Sequence, residues 1–272
     1  MTPTRPFDVP QPFADACARS PLVIADVGAR GGLQPRWQSV AHYVTWIGFE
    51  PDARSADALP EASLPARSHI LPVALSDRPG PVTLHRTRDE GDSSLLKPNV
   101  AFLKQFPNPE RFDVVDTVEL PGDTLDSQLD HIGVRSIDVF KLDTQGTELA
   151  ILRGASGVLS RGVLAVDIEV EFSAMYQEQP LFADVDTHLR TAGLQLMDLA
   201  PRRSPHTAGA HLNLARGQIV WAEAVYFPTL DWLASDVSAR GSGGPDRLAK
   251  ACLVALSYGL PDFALALTER CA

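Results

Sequence analysis

Acidic side chains recur where this sequence leaves its most apolar runs, and three such places could do chemistry. The first is Lys141-Leu-Asp-Thr-Gln-Gly-Thr-Glu148, where Lys141 and Asp143 share one side of a strand whose other residues, Ile137, Val139, Phe140 and Leu142, are apolar. A charged pair withdrawn from water costs free energy unless it is paired or used. Asp143, supported by Lys141 and Glu148, therefore reads as a group that orients or deprotonates a substrate. The next apolar run repeats the pattern, because Asp167, Glu169 and Glu171 alternate along one face of 163–172. Glu169 joins the same group unless that strand is a sheet edge with one wet face. The second place is Asp26-Val-Gly-Ala-Arg-Gly-Gly32, directly after Leu22–Ala25 and ahead of a predicted helix. Gly28 and Gly32 remove side chains where the chain turns, which lets a ligand approach the backbone, or they serve a plain strand-to-helix turn. The third is Glu50, at the tip of the run Tyr43–Phe49 and ahead of Pro51. A carboxylate there is placed to hold two ribose hydroxyls of a nucleoside; the alternative is a solvated strand end.

Two weaker candidates follow the same logic. Asp77, in Leu75-Ser-Asp77, could accept from an adenine amino group or be an ordinary turn aspartate. Ser93 and Ser94, in Asp92-Ser-Ser-Leu95, could offer hydroxyls or amides to the same ligand or form a plain turn.

Positioning these residues requires parallel strands that end together, and the chain alternates short apolar runs with helical patterns as βαβ units do. Strands are predicted at 22–25, 43–49, 69–75, 137–143 and 163–171. The alternating run 114–120 pairs in this reading with 82–86 as an inserted hairpin. Helices are predicted from an Asp123 cap to about Ile132, over 146–160 and over 182–192. Two consecutive strands, 194–199 and 219–227, form an antiparallel edge around a loop that carries Arg202, Arg203 and Arg216. Beyond Pro228 the composition changes, with a glycine-rich break at 241–244 and two apolar helical stretches, 246–258 and 262–271. Such helices must pack on the main domain, form a homodimer interface or cap the substrate cleft. The expected division is an N-terminal extension 1–20, a catalytic domain 21–228 and a helical appendage 229–272.

Composition narrows the function. A formal net charge of −10 disfavours nucleic acid and anionic lipid as partners. The three cysteines, Cys17, Cys252 and Cys271, are too dispersed for a disulfide framework or a CxxC metal site, which fits a reducing, cytoplasmic setting. Met1–Pro12 lacks an apolar stretch behind a basic start, and 251–267 is broken by Ser257, Tyr258, Pro261 and Asp262, so neither a leader nor a membrane span is expected. No histidine spacing matches a metal site, and neither GxSxG nor GxxxxGK[ST] occurs. Asp143 and Glu169, with Glu171 or Glu148, could hold a divalent metal, but Lys141 already neutralises part of that charge, so a metal-free site is expected.

The series Asp26-Val-Gly-Ala29, Gly48-Phe-Glu-Pro51, Ala74-Leu-Ser-Asp77, Ser93-Ser94, Lys141 to Leu149, Leu152-Arg-Gly154 and Ile168-Glu169 resembles, in order and spacing, the FkbM family of S-adenosylmethionine-dependent methyltransferases. The resemblance covers Leu22 to Leu199 and extends through Gly217 to Ala222. Arg30 stands where that family often has Asn, and Gln145 where it often has Glu. The resemblance implies an α/β, Rossmann-like, mostly parallel seven-stranded sheet with a reversed last strand. It also implies S-adenosylmethionine as cofactor, seated by Asp26, Gly28, Gly32 and Glu50 with Asp77 and Ser93-Ser94 nearby. The implied reaction is O-methylation of a hydroxyl on a small molecule, sugar, lipid or secondary metabolite. Two alternatives stay open: a scaffold that keeps the nucleoside pocket without chemistry, and an RNA ribose methyltransferase.

Overall fold

A computed structural model describes residues 9–52, 64–212 and 216–272. In chain order, α1 (Gln11–Arg19) leads into β1 (Leu22–Val27), a 3-10 segment (Pro35–Tyr43), β2 (Val44–Phe49) and β3 (Arg67–Leu71). Then come β4 (Ala74–Leu75), β5 (Gly80–Thr87), the short α2 (Val100–Leu103), β6 (Val114–Asp123), α3 (Leu125–His131) and β7 (Val139–Leu142). The chain continues with α4 (Glu148–Arg153), α5 (Ser156–Arg161), β8 (Ala165–Glu171), α6 (Phe182–Thr191), β9 (Leu194–Ser204) and β10 (Gln218–Pro228). Three helices close it: α7 (Leu230–Ala239), α8 (Gly244–Ser257) and α9 (Pro261–Cys271).

The main sheet has seven strands in the order β3-β2-β1-β7-β8-β10-β9. Its first five are parallel, and β10 runs antiparallel between β8 and β9. This is the seven-stranded Rossmann-like sheet with one reversed strand. β8 is internal, so Asp167, Glu169 and Glu171 do not line a wet edge. A second sheet, β4-β6-β5, contains the expected hairpin, with Val82 opposite Leu120.

Alternate residues of each central strand face opposite cores. Ala25 and Phe140 join Ile151 and Leu189 on one side, whereas Ile24 and Val139 join Trp37, Trp46 and Leu253 on the other. The second core is covered by the C-terminal helices, so the apolar tail packs on the main sheet. A buried charge cluster fastens it. Arg247 donates to Asp138 (2.9 Å), Asp236 (2.8 Å) and the Gly162 carbonyl (2.9 Å), and Lys250 meets the other oxygen of Asp138 at 2.7 Å.

Several elements differ from the sequence reading. The run 69–75 is two strands, because Pro72 has no N–H for a ladder and Ala74–Leu75 leaves for the second sheet. The segment after Gly32 is a 3-10 rather than an α-helix, and the two buried residues Trp37 and Val40 are three apart, its period. The helix expected over 146–160 is split into α4 and α5 at Gly154, where a Cβ would lie 2.1 Å from the Ser76 carbonyl oxygen. Thr124, not Asp123, caps α3, its hydroxyl accepting from the Ser127 amide at 3.1 Å. β9 and β10 run five and one residues further than predicted, to Ser204 and Pro228, and α1 and α7 form where no helix was expected.

Candidate active site

The C-terminal tips of β1, β2 and β7 converge on a cavity of about 170 Å³. Gly28 forms its floor, and only glycine fits there: φ is +76° and a Cβ would sit 2.0 Å from the Asp143 carbonyl oxygen. The Gly28 amide donates to the Phe49 carbonyl at 3.1 Å, which ties the first turn to the strand that ends in Glu50. Glu50 lines the cavity and is nearly buried. Its Oε1 accepts from the Asp52 amide at 3.0 Å. Burial, only partly offset by that amide, raises its pKa above the ordinary carboxylate value. Val73, Ala74, Leu75, Leu84 and Ile151 supply an apolar wall suited to a purine.

The other cofactor candidates are placed less directly. Asp26 lies beneath the turn and does not line the cavity; its Oδ2 accepts from Trp46 Nε1 (3.1 Å) and its Oδ1 faces Lys141 Nζ (3.3 Å). Gly32 is buried behind the turn, also outside the cavity. Asp77 is exposed and is not brought to the cavity, which ends at Leu75. Ser93 and Ser94 both line it, but their hydroxyls have internal partners. Ser93 Oγ accepts from the Thr87 amide (3.1 Å), and Ser94 Oγ donates to the Gln145 carbonyl (2.7 Å). Asp52 is a lining residue the sequence pattern did not single out, paired with Arg86 at 3.0 Å. Its signal was position, two residues past Glu50 across Pro51.

At the tip of β7, Lys141 is half-buried between carboxylates. Its ammonium lies 3.3 Å from Asp26 Oδ1 and 3.7 Å from Asp143 Oδ2, and it donates to the Gly28 carbonyl at 3.2 Å. Desolvation works to lower its pKa, but the carboxylates of Asp26 and Asp143 outweigh it and the lysine stays charged. Asp143 lines the cavity with its side chain 44% exposed. Glu148 is turned away, accepting from the Thr144 amide (2.7 Å) and hydroxyl (3.0 Å), so it holds the loop together.

Gln145 joins this loop to β8. Its Nε2 donates to Asp143 Oδ1 (3.2 Å) and to Glu169 Oε1 (2.8 Å), while its Oε1 accepts from the Tyr176 hydroxyl (3.1 Å). An amide is suited to this position because its NH2 group can donate to both carboxylates at once. Burial first, then the neighbouring acids Asp143, Glu171 and Glu148, raise the pKa of Glu169 well above its ordinary value. Glu169 and Gln145 also line a second cavity, of about 230 Å³, adjoining the first.

Residues 26–196 match the family model of the methyltransferase FkbM domain. The chain belongs to the FkbM methyltransferase family. It is an S-adenosylmethionine-dependent methyltransferase. The 2-O-methyltransferase NoeI of Sinorhizobium fredii is 28% identical to it over 193 residues, which are 68% of this chain and 78% of NoeI. A methyltransferase FkbM structure from Methylobacillus flagellatus aligns with 76% of the chain at 14% identity and a TM-score of 0.44, and the chain spans 43% of that protein's length. Magnesium protoporphyrin IX methyltransferase from Synechocystis, solved with bound S-adenosylmethionine, aligns with 81% of the chain and 78% of its own, at 10% identity and a TM-score of 0.38. Among the described residues no helix is long and apolar enough to cross a membrane.

Proposed function

We propose that this FkbM-family enzyme methylates a hydroxyl oxygen, with Asp143 as the group that receives the hydroxyl proton. The observation that carries the reading is the position of Asp143. It is a half-exposed carboxylate just past the end of a central strand, lining the first cavity and joined through the Gln145 amide to the second. The residues present fit S-adenosylmethionine. Gly28 lines the cavity without a side chain, Glu50 offers a carboxylate in a largely dry setting, and the wall from Val73 to Leu75 is apolar. When bound, the cofactor would supply an electrophilic sulfonium methyl for the acceptor oxygen, with a neutral thioether as the leaving group.

The chain's own residues supply orientation and proton removal. Lys141, held charged by Asp26, steadies Asp143 from one side, and the Gln145 amide fixes it from the other. These contacts keep one carboxylate orientation in the first cavity, beside the Gln145 that borders the second. Asp26 therefore acts through Lys141, and Glu148 acts by shaping the 143–148 loop. Both oxygens of Asp143 and one of Glu169 face donors of this chain, so the set is poorly free to ligate a divalent ion.

The test incubates the protein with methyl-labelled S-adenosylmethionine and a panel of hydroxyl compounds, with and without a chelator, followed by mass spectrometry. Label on oxygen that is insensitive to chelation is the expected outcome. Binding of S-adenosylhomocysteine without transfer to any acceptor pool favours the scaffold alternative, and label on nitrogen or carbon removes the O-methyl assignment.

A further inference from the structure

We propose that the second cavity is the acceptor subsite and that it takes an uncharged hydroxyl compound with one apolar face. The inference rests on the methyl-transfer reading above and adds the class of molecule it serves.

Continuity with the cofactor cavity comes first. The two cavities share Gly91 and Gln145, so a group seated in the second has its nearest edge at the Gln145 amide and, one hydrogen bond on, at Asp143. Its polar end is therefore where methyl transfer takes place. Gln145 and Glu169 form that end, joined at 2.8 Å, and both carry groups able to hydrogen-bond a hydroxyl.

The opposite wall is aromatic, with Phe102, Phe106, Phe112 and Trp221. Neighbours hold these rings in place. Phe102 meets Phe106 edge-on at 5.1 Å, Phe106 lies 5.0 Å from His206, and the Arg202 guanidinium stands 5.7 Å over Trp221. Fixed ring faces bind apolar carbon, including the C–H face of a sugar ring, at low entropic cost. The wall is assembled from three distant segments that touch one another. The Thr207 amide donates to the Gln105 carbonyl (2.8 Å) and Asn99 Nδ2 donates to the Ala174 carbonyl (2.9 Å), which ties the 99–112 insertion to the loops after β8 and β9.

Charge decides against an anionic acceptor. Arg111 is the cation among the described residues lining the cavity, and it is committed to the buried carboxylate of Asp92, with Nη2 at 2.6 Å from Oδ1. Glu169 stands at the polar end, with Glu171 and Glu148 among the acids that act on it. A phosphate or carboxylate entering here would shed water, meet Glu169, and find Arg111 held by Asp92, with Arg202, over Trp221, paired with Glu223 at 3.5 Å. A neutral hydroxyl compound meets none of these costs.

The experiment uses the whole chain saturated with S-adenosylhomocysteine and follows probe binding by saturation-transfer NMR. The probes are 4-nitrophenyl glycosides, which are neutral with an aryl face, and the corresponding sugar 1-phosphates. The glycosides should bind at least tenfold more tightly than the phosphates, and Phe106→Ala and Trp221→Ala should each weaken them fivefold or more while S-adenosylhomocysteine affinity holds. Should an alanine variant not fold, Phe106→Leu provides the same comparison. Phosphates binding as well as glycosides, glycosides failing to bind the loaded protein, or both ring variants binding them unchanged would overturn the proposal while leaving methyl transfer intact. Failure of the wild-type chain to bind S-adenosylhomocysteine would instead overturn the methyl-transfer reading on which it stands.

Discussion

Replacing Glu50 by glutamine isolates the charge of one carboxylate from the rest of the cofactor cavity. The substitution keeps shape, and the remaining carbonyl oxygen can still accept from the Asp52 amide, now 3.0 Å from Oε1. What is lost is a charged acceptor for ribose hydroxyls. Charge-assisted hydrogen bonds contribute about 1–3 kcal/mol, so S-adenosylhomocysteine affinity should fall roughly 5–150-fold. The folded protein should respond in the opposite direction. Burial raises the Glu50 pKa, meaning that the ionised form is disfavoured in the fold, and a neutral amide removes that cost. The free variant should therefore melt at the same temperature as wild type or slightly higher. A pH series adds a signature: wild-type affinity should decline as pH is lowered through the elevated Glu50 pKa, and the variant should lack that decline. Titration calorimetry and thermal melting measure all three. Unchanged affinity in a folded variant would remove Glu50 from the site. Affinity and melting temperature falling together would make it a structural support.

Asp143→Asn should leave S-adenosylhomocysteine affinity within about twofold while lowering turnover about 10²–10⁴-fold in a labelled-methyl assay, because a general base is lost while the Gln145 contact at Asp143 Oδ1 can survive; lost cofactor affinity would reassign the residue to the cofactor cavity. Asp138→Ala leaves Arg247 and Lys250, both buried, without their shared partner, and should cost about 3–5 kcal/mol, visible as a fall in melting temperature of roughly 6–20 °C. A change under 1 °C would show that Asp236 and the Gly162 carbonyl suffice for Arg247 and Ser20 Oγ for Lys250. Glu171→Gln should stabilise the fold, and the gain should grow as pH rises above the ordinary glutamate value, since a carboxyl with a raised folded-state pKa contributes stability at low pH that is lost as pH rises. Melting curves between pH 4 and pH 9 that stay parallel to wild type would sink the idea.

Much of the site is legible in the sequence because a parallel α/β sheet places the ends of its strands together. Asp26-Val-Gly28, Glu50 and Lys141-Leu-Asp143 each follow an apolar run, and each is found at a strand tip. The alternation of Asp167, Glu169 and Glu171 likewise announced a strand with a charged face. Asp77 shows the limit of that rule. It sits two residues past a strand, as a ligand-binding acid would, but β4 turns aside into the second sheet at Pro72 and carries it into solvent.

The sequence by itself determined the order of strands along the chain, the antiparallel pairing of the last two, and the residues that stand at each tip, because these follow from local periodicity and from chain order. Tertiary structure alone decided which of those residues share a hydrogen bond. Gln145 reaches Asp143, Glu169 and Tyr176 at once, Arg86 crosses from the hairpin to Asp52, and Phe106 and Trp221 come together from segments that carry no common motif. The C-terminal helices are the largest instance. Their apolar sequence required a partner, and only packing chose the sheet face beside Trp37 and Trp46, because Arg247 and Lys250 could leave water only where Asp138 awaited them.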